Sequence, residues 1–392
     1  MKRVFAPLFC TLALAACSDS SPTRVAAPDQ LGAPEAPYYA KGVNGVDGDY
    51  IVVFKDDVSE PLSKADEKLV KVGGKAKFKY DIALKGFAAT LSPAALAALQ
   101  ADPDVAYIEQ DQVVTADATQ TGATWGLDRI DQRNRPLSGS YTYTSTGTGV
   151  RAYIIDTGIQ TSHPQFGGRA LAVYDALGGN GQDCNGHGTH VAGTVGAATY
   201  GVAKNVMLRG VRVLSCAGSG TTSQVIAGIN WVATNHIKPA VANMSLGGGF
   251  STAQNSAVNT LASNGVFIAV AAGNSNADAC NASPASAANA TTVAASTSTD
   301  AKASYSNFGP CVDLYAPGSS ITSTWLNGGT NTISGTSMAS PHVAGVGALY
   351  KATYGDASYS TIRSWLVTNS TANVITGNPS GTPNKLLYKA GL

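Results

Sequence analysis

Three short runs, Val150-Arg151-Ala152-Tyr153-Ile154-Ile155, Ala240-Val241-Ala242-Asn243-Met244 and Val266-Phe267-Ile268-Ala269-Val270, are apolar with little polar alternation. A strand with one wet face alternates apolar and polar residues. A strand without that alternation is covered on both faces, the condition of a parallel sheet between layers of helices. The stretches Ser223 to Asn235 and Ala253 to Ser263 read as such helices. From Ala118 to Leu392 the chain is therefore expected to form a three-layer α/β domain, with ligands at the carboxyl ends of its strands.

The region before it is of another kind. Between Lys41 and Asp117, 22 of 77 residues are charged, many of them lysine, whereas the rest of the chain is charge-poor. Tyr50 to Phe54 reads as a strand, Pro61 to Val72 as a polar-faced helix, and Ala76 to Leu91 as two strands broken at Gly86. Ser92-Pro93 starts a second helix, with an N-cap followed by proline at the first helical position. Val105 to Ile108 closes as a strand. Strand–helix–strand–strand–helix–strand is the order of a small ferredoxin-like α+β domain.

Ahead of both, residues 1–16 have the form of a signal peptide: Lys2 and Arg3, an apolar run, then small residues. Leu14-Ala15-Ala16-Cys17 has the form of a bacterial lipobox with Cys17 as lipid acceptor, and residues 17–40, rich in Ser, Pro and Ala, read as a flexible tether. No later stretch is long enough for a transmembrane helix. With 392 residues, 44% apolar and a net charge of +1, the chain can bury a large core and gives no sign of a nucleic-acid partner. Beyond Cys10 and Cys17 there remain Cys184, Cys216, Cys280 and Cys311. An even number in an exported chain argues for two disulfides, which three pairings would satisfy. No pair has the C-x-x-C spacing of a zinc site.

Polar residues collect at strand and helix ends. The strand ending at Ile155 runs into Asp156-Thr157-Gly158. Asn185-Gly186-His187-Gly188-Thr189-His190 precedes small residues suited to a tightly packed helix. His187 and His190 are three apart and would face one metal on a helix, but no H-E-x-x-H motif or third ligand accompanies them. Ala271-Ala272-Gly273-Asn274 puts a side-chain amide at a strand's end, where it can donate to developing negative charge. Asn243 to Gly249 ends another strand in glycine-rich backbone that can pair with an extended peptide, and Gly218-Ser219-Gly220 offers a second rail. Last comes Gly335-Thr336-Ser337-Met338-Ala339-Ser340-Pro341-His342, before the apolar run Val343 to Tyr350. It reads as the start of a buried helix with Pro341 in its first turn, and with Ser337 among backbone N–H groups that lack helical partners. Each feature alone has an ordinary structural use, as a cap, a turn or a packing residue. Together they suggest a histidine working with Asp156 and Ser337.

Asp156, His187 and Ser337 in that order, with Asn274 before the serine, resemble the subtilisin-like serine proteases. The closest likeness is to the proteinase K branch, and within it to the aqualysin-type enzymes. It extends from roughly Trp125 to Leu387, and the charged region resembles the family's inhibitory propeptide, notably at Val105 to Asp111. The resemblance implies Ser337 as nucleophile, His187 as general base and acid, Asp156 as its orienting partner, and Asn274 with the Ser337 N–H as oxyanion hole. It implies peptide binding between Gly218-Ser219-Gly220 and Ser245-Leu246-Gly247, with Ala271, Ala272 and Gly273 lining a primary pocket. No acidic residue in these segments would select Lys or Arg, so apolar or aromatic side chains are expected with broad tolerance.

The resemblance further implies the disulfides Cys184–Cys216 and Cys280–Cys311. It implies structural Ca²⁺ at Asp313 with the carbonyls of Ala288 and Ala290, and at Asp128, Asp131, Gln132, Ser138 and Ser140. At the first of these sites alanines replace larger residues of the family. Maturation is expected by self-cleavage near Asp117–Ala118, with the tail Gln112-Val113-Val114-Thr115 left in the cleft as inhibitor. A lipidated Cys17 would tether the precursor to the membrane until cleavage releases an extracellular, monomeric protease, with no module after the catalytic domain. A non-catalytic peptide-binding module is the main alternative, and the complete residue set argues against it. A serine esterase of the α/β-hydrolase type would place serine first, in a G-x-S-x-G elbow that is missing here.

Overall fold

The computed structural model describes residues 35–40, 45–112 and 118–392. The signal segment, Cys17, Val113 to Thr115 and Asp117 lie outside the described residues. The chain divides into two compact units, one comprising Gly48–Gln110 with the described residues up to Tyr39, the other Asp111–Leu392 with the described part of 40–47.

To the first unit belong β1 (Tyr38–Tyr39), β2 (Gly45–Phe54) from Gly48 onward, α1 (Pro61–Val72), β3 (Ala76–Tyr80), β4 (Gly86–Thr90), α2 (Pro93–Gln100) and β5 (Val105–Gln112) as far as Gln110. Its sheet order, β1-β5-β2-β4-β3, is the ferredoxin-like arrangement with one added edge strand. Ser92 caps α2 by accepting from the Ala95 N–H at 3.2 Å. Phe54, Leu69, Phe87, Leu99 and Ile108 fill a single core.

The last residues of the expected tether belong to this unit. Ala36 is buried and its N–H donates to the Gln100 carbonyl, while Tyr38 and Tyr39 pair in parallel with β5. The two tyrosines find ring partners in Tyr50 and Tyr107, a gain the Ser/Pro-rich composition around them conceals.

The second unit opens with β6 (Ala118–Thr121), α3 (Trp125–Asp131), β7 (Ser140–Tyr143), β8 (Arg151–Asp156), β9 (Ala170–Asp175), α4 (His187–Gly196), β10 (Met207–Arg212) and α5 (Thr222–Asn235). There follow β11 (Ala240–Met244), β12 (Gly248–Gly249), α6 (Thr252–Ser263), β13 (Phe267–Ala271), β14 (Ala282–Ser283), β15 (Thr291–Ser296) and β16 (Leu314–Pro317). The unit closes with the hairpin β17 (Ile321–Thr324) and β18 (Thr330–Ile333), then α7 (Thr336–Tyr354), α8 (Tyr359–Asn369), β19 (Thr371–Ala372) and β20 (Lys385–Leu386).

Among the described residues its main sheet has nine strands in the order β19-β20-β16-β15-β13-β11-β8-β10-β9. All neighbours are parallel except β19 and β20. Strand β8 explains the layering. Ala152 and Ile154 pack into a core shared with α4 and α7, while Tyr153 and Ile155 pack into one shared with α5 and α6. Both faces of the strand are thus apolar, as the missing alternation requires. Among the described residues, no helix is long and apolar enough to cross a membrane.

Candidate active site

Strand β8 ends at Asp156 and helix α4 begins at His187, and the sheet brings them together. Asp156 is fully buried, and its Oδ1 accepts from the Thr157 N–H and from His187 Nδ1, both at 2.7 Å. A carboxylate only accepts, so Nδ1 carries the proton and Nε2 is left as the basic nitrogen. The glycines flanking His187 are needed at this spacing. Gly186 has φ +107° with the Trp325 ring against it, and a Cβ on Gly188 would overlap the Gly158 carbonyl.

Beneath the histidine lies Asp183, which the sequence reading missed. Its carboxylate accepts from Thr157 Oγ1, the N–H groups of Asn185, Gly186 and Thr189, and Thr189 Oγ1, at 2.6–3.0 Å. It therefore fastens the Asp156 turn to the first turn of α4. Burial disfavours a charged His187 ring. The Asp156 carboxylate, followed by Asp183, outweighs it and raises the pKa above the ordinary histidine value of 6.5. His190 behaves oppositely. Burial drives its pKa down to about 4, and its Nε2 donates to the carbonyls of Ile321 and Asn331. It holds the β17–β18 hairpin and is not part of the site.

Helix α7 starts at Thr336, earlier than the apolar run suggested, so Ser337 is its second residue and Pro341 its sixth. Pro341 thus lies beyond the first turn. A proline inside a helix leaves the carbonyl four residues back without its donor, and that carbonyl is Ser337's. The Ser245 hydroxyl takes over, donating to Ser337 O at 2.7 Å. It is held in turn by Asn243 Nδ2 at 2.8 Å, while Ser340 donates to Asn243 Oδ1 at 2.5 Å. In this structure the Ser337 hydroxyl donates to the Ser245 carbonyl at 3.1 Å. The Ser337 N–H, at the second helical position, has no intrahelical acceptor.

Asn274 follows β13. Its Oδ1 accepts from the Thr336 N–H at 2.9 Å and from Thr336 Oγ1 at 2.8 Å. That pins the amide and turns Nδ2 to the other side. Thr336 is a second orienting residue the sequence reading missed.

His187, Gly218, Ser219, Gly220, Ser245, Leu246 and Gly247 line one cavity. Leu246 and Gly247 continue into a second with Ala271, Ala272, Gly273, Asn274 and Ser337. All the residues expected to bind substrate therefore border one continuous cleft, and among the described residues no charged side chain lines its second part. Cys184–Cys216 and Cys280–Cys311 are both formed.

The two expected calcium positions differ. Asp128, Gln132, Ser138 and Ser140 form one hydrogen-bonded cluster of carboxylate, amide and hydroxyl oxygens. Asp131 turns aside, accepting from the Thr142 N–H at 2.7 Å and lying 3.4 Å from Lys389 Nζ. At Asp313 the oxygens already have a cationic partner. Arg363 bonds both the carboxylate and the Ala288 carbonyl.

Comparison with known proteins identifies the family. Residues 147–388 match the subtilase family, and residues 49–117 match peptidase inhibitor I9. The chain is 51% identical to an extracellular serine proteinase of Thermus sp. (strain Rt41A), over 96% of each chain. It is 52% identical to alkaline serine exoprotease A of Vibrio alginolyticus, over 79% of this chain and 59% of that one. A solved cold adapted subtilisin-like serine proteinase shares 55% identity at a TM-score of 0.68, covering 69% of this chain and 99% of its own. The chain therefore belongs to the subtilase family, as a subtilisin-like serine endopeptidase preceded by an I9-type propeptide.

Proposed function

We propose that the chain is an exported zymogen whose catalytic unit cleaves peptide bonds through Asp156, His187 and Ser337. The observation that carries this reading is the Asp156–His187 hydrogen bond at 2.7 Å, opening on a cleft that also contains Ser337 at a helix start. Rotation about its side-chain torsion turns the Ser337 hydroxyl from the Ser245 carbonyl toward His187 Nε2. Such contacts tighten on substrate binding. Oγ then attacks the scissile carbonyl while its proton passes to Nε2. The carbonyl oxygen becomes an oxyanion between Asn274 Nδ2 and the Ser337 N–H, donors fixed by Thr336 and by the helix start. Collapse expels the amine, which takes the Nε2 proton and leaves an acyl-enzyme. Water, deprotonated by the same nitrogen, releases the acid and restores the serine.

The substrate extends between Gly218–Gly220 and Ser245–Gly247, adding a strand to exposed backbone. Its primary side chain enters the uncharged part of the cleft, which favours broad apolar and aromatic specificity. Self-cleavage near Asp117–Ala118 frees the catalytic unit, with the first unit as its intramolecular inhibitor. A lipid on Cys17 would hold the precursor at a membrane until then. A structural Ca²⁺ fits the oxygen cluster of Asp128, Gln132, Ser138 and Ser140, where it would brace the segment between α3 and β7.

Ser337→Ala tests the reading. Peptidase kcat is expected to fall by about 10⁶-fold, with full-length precursor accumulating on denaturing gels. Unchanged hydrolysis or normal processing in that variant would refute the mechanism.

A further inference from the structure

The family resemblance leads one to expect a divalent cation at Asp313, yet the chain supplies a cation of its own there. Asp313 Oδ1 accepts from Arg363 Nε at 2.8 Å and lies 2.6 Å from a terminal guanidinium nitrogen. The other terminal nitrogen donates to the Ala288 carbonyl at 2.9 Å, and Oδ2 accepts from the Thr292 N–H at 2.8 Å. Arg363 stands one turn after Tyr359 on α8, and the Tyr359 hydroxyl donates to Asn289 Oδ1 at 2.7 Å. Two side chains four apart on one helix face therefore reach the same loop.

We infer that Arg363 does at this position what a bound cation would do, joining the 288–290 loop, Asp313 and α8, and that this chain holds no calcium at Asp313. The chemistry fits the donor set. A guanidinium is permanently charged, planar and forked, suited to bridge a carboxylate and a carbonyl. Calcium needs six to eight oxygens. Here both carboxylate oxygens and the Ala288 carbonyl are committed to N–H donors, and an added divalent ion would sit against a fixed positive charge. This inference is independent of the catalytic reading.

The test is calcium stoichiometry by equilibrium dialysis with Ca²⁺ on the purified protease, its Ser337 blocked by a sulfonyl fluoride, together with thermal midpoints. Asp313→Asn is expected to bind as many calcium ions as the wild type. Arg363→Ala is expected to melt several degrees lower. If the vacated oxygens then take up one extra ion, Arg363→Ala/Asp313→Asn should lose it, which would support the inference further. One ion fewer in Asp313→Asn than in the wild type would overturn the inference, as would an Arg363→Ala protein with an unchanged midpoint. If Arg363→Ala does not fold, the comparison of wild type with Asp313→Asn decides alone.

Discussion

Lys68 in the first unit and Lys204 in the second are equally hidden, 6% and 8% exposed, yet they are held by opposite means. Lys68 meets two carboxylates, Asp102 and Asp104, each at 2.7 Å. Burial opposes its charge, and these partners outweigh it and raise its pKa. Lys204 meets neutral oxygens: Gln120 Oε1 at 2.6 Å and the carbonyls of Ala198, Gly201 and Thr199 at 3.1–3.4 Å. The rings of Tyr141 and Tyr143 lie nearby. With no counter-charge against it among the described residues, burial pushes its pKa down to about 8. The contrast is between these two lysines, since both units also contain ion pairs. The first relies on ion pairs, including Lys77–Asp49 and Lys79–Asp66. The second has buried neutral hydrogen bonds such as Ser340–Asn243–Ser245–Ser337, together with ion pairs more deeply buried than those two, among them Arg129–Asp300 and Arg212–Asp175.

Removing the neutral cage is the strongest way to break this comparison. Lys204→Met leaves four oxygens without their donor and is expected to cost the catalytic unit about 2–4 kcal/mol. The thermal midpoint of the serine-blocked protease measures it, and an unchanged value would mean the cage contributes nothing. Next in size is Asp183→Asn, which removes a negative charge near His187 and sets an amide N–H₂ against backbone donors. We expect kcat/KM to drop about tenfold, roughly 1.4 kcal/mol. The acid limb of the pH profile should also move to lower pH, because the neutral, active imidazole then survives to lower pH. A limb that stays in place would leave Asp183 with a purely structural role.

The smallest effects come from pH, followed by calorimetry on the Ser337→Ala precursor. In the first unit hydrogen bonds from Lys77 and Lys68 lower the pKa values of Asp49 and Asp104. The stability they add is present above the ordinary carboxylate pKa and is lost as pH falls through the lowered values, below about 4. For Lys204 the sign reverses. Between about 8 and its ordinary 10.5 the unfolded chain binds more protons, so the catalytic unit should gain stability as pH rises through that window. Added salt should lower the first transition more than the second. Transitions that respond alike to pH and salt would erase the contrast.

Much of this was legible in the sequence because it is local. The missing alternation in β8, β11 and β13 specified a covered parallel sheet, and Ser92-Pro93 marked the start of α2. The glycines beside His187 announced close approach. What escaped notice depends on partners distant in the chain. Pro341 reads as a first-turn proline until the helix is seen to begin at Thr336, and only then does the role of the Ser245 hydroxyl follow. Asp183 looks like a loop residue because its charge is spent on backbone N–H groups that no motif encodes. Arg363 is separated from Asp313 by a strand, a hairpin and a helix, so nothing local ties the two together. Tyr38 and Tyr39 were masked by the composition around them.

The Cys184–Cys216 bridge ties one wall of the cleft to the segment that leads into α4. One sulfur sits just before His187 and the other just before Gly218, and Asn185 Nδ2 adds a hydrogen bond to the Cys216 carbonyl at 2.9 Å. The start of α4 and the 216–220 segment are thereby joined by a covalent and a hydrogen bond. The opposite wall runs out into Gly248 and Gly249, where an added Cβ would meet open space. That wall is nevertheless tied as well, through the pairing of Gly248 and Gly249 with Ser283 and Ala282, so one side of the groove is fastened by sulfur and the other by backbone hydrogen bonds.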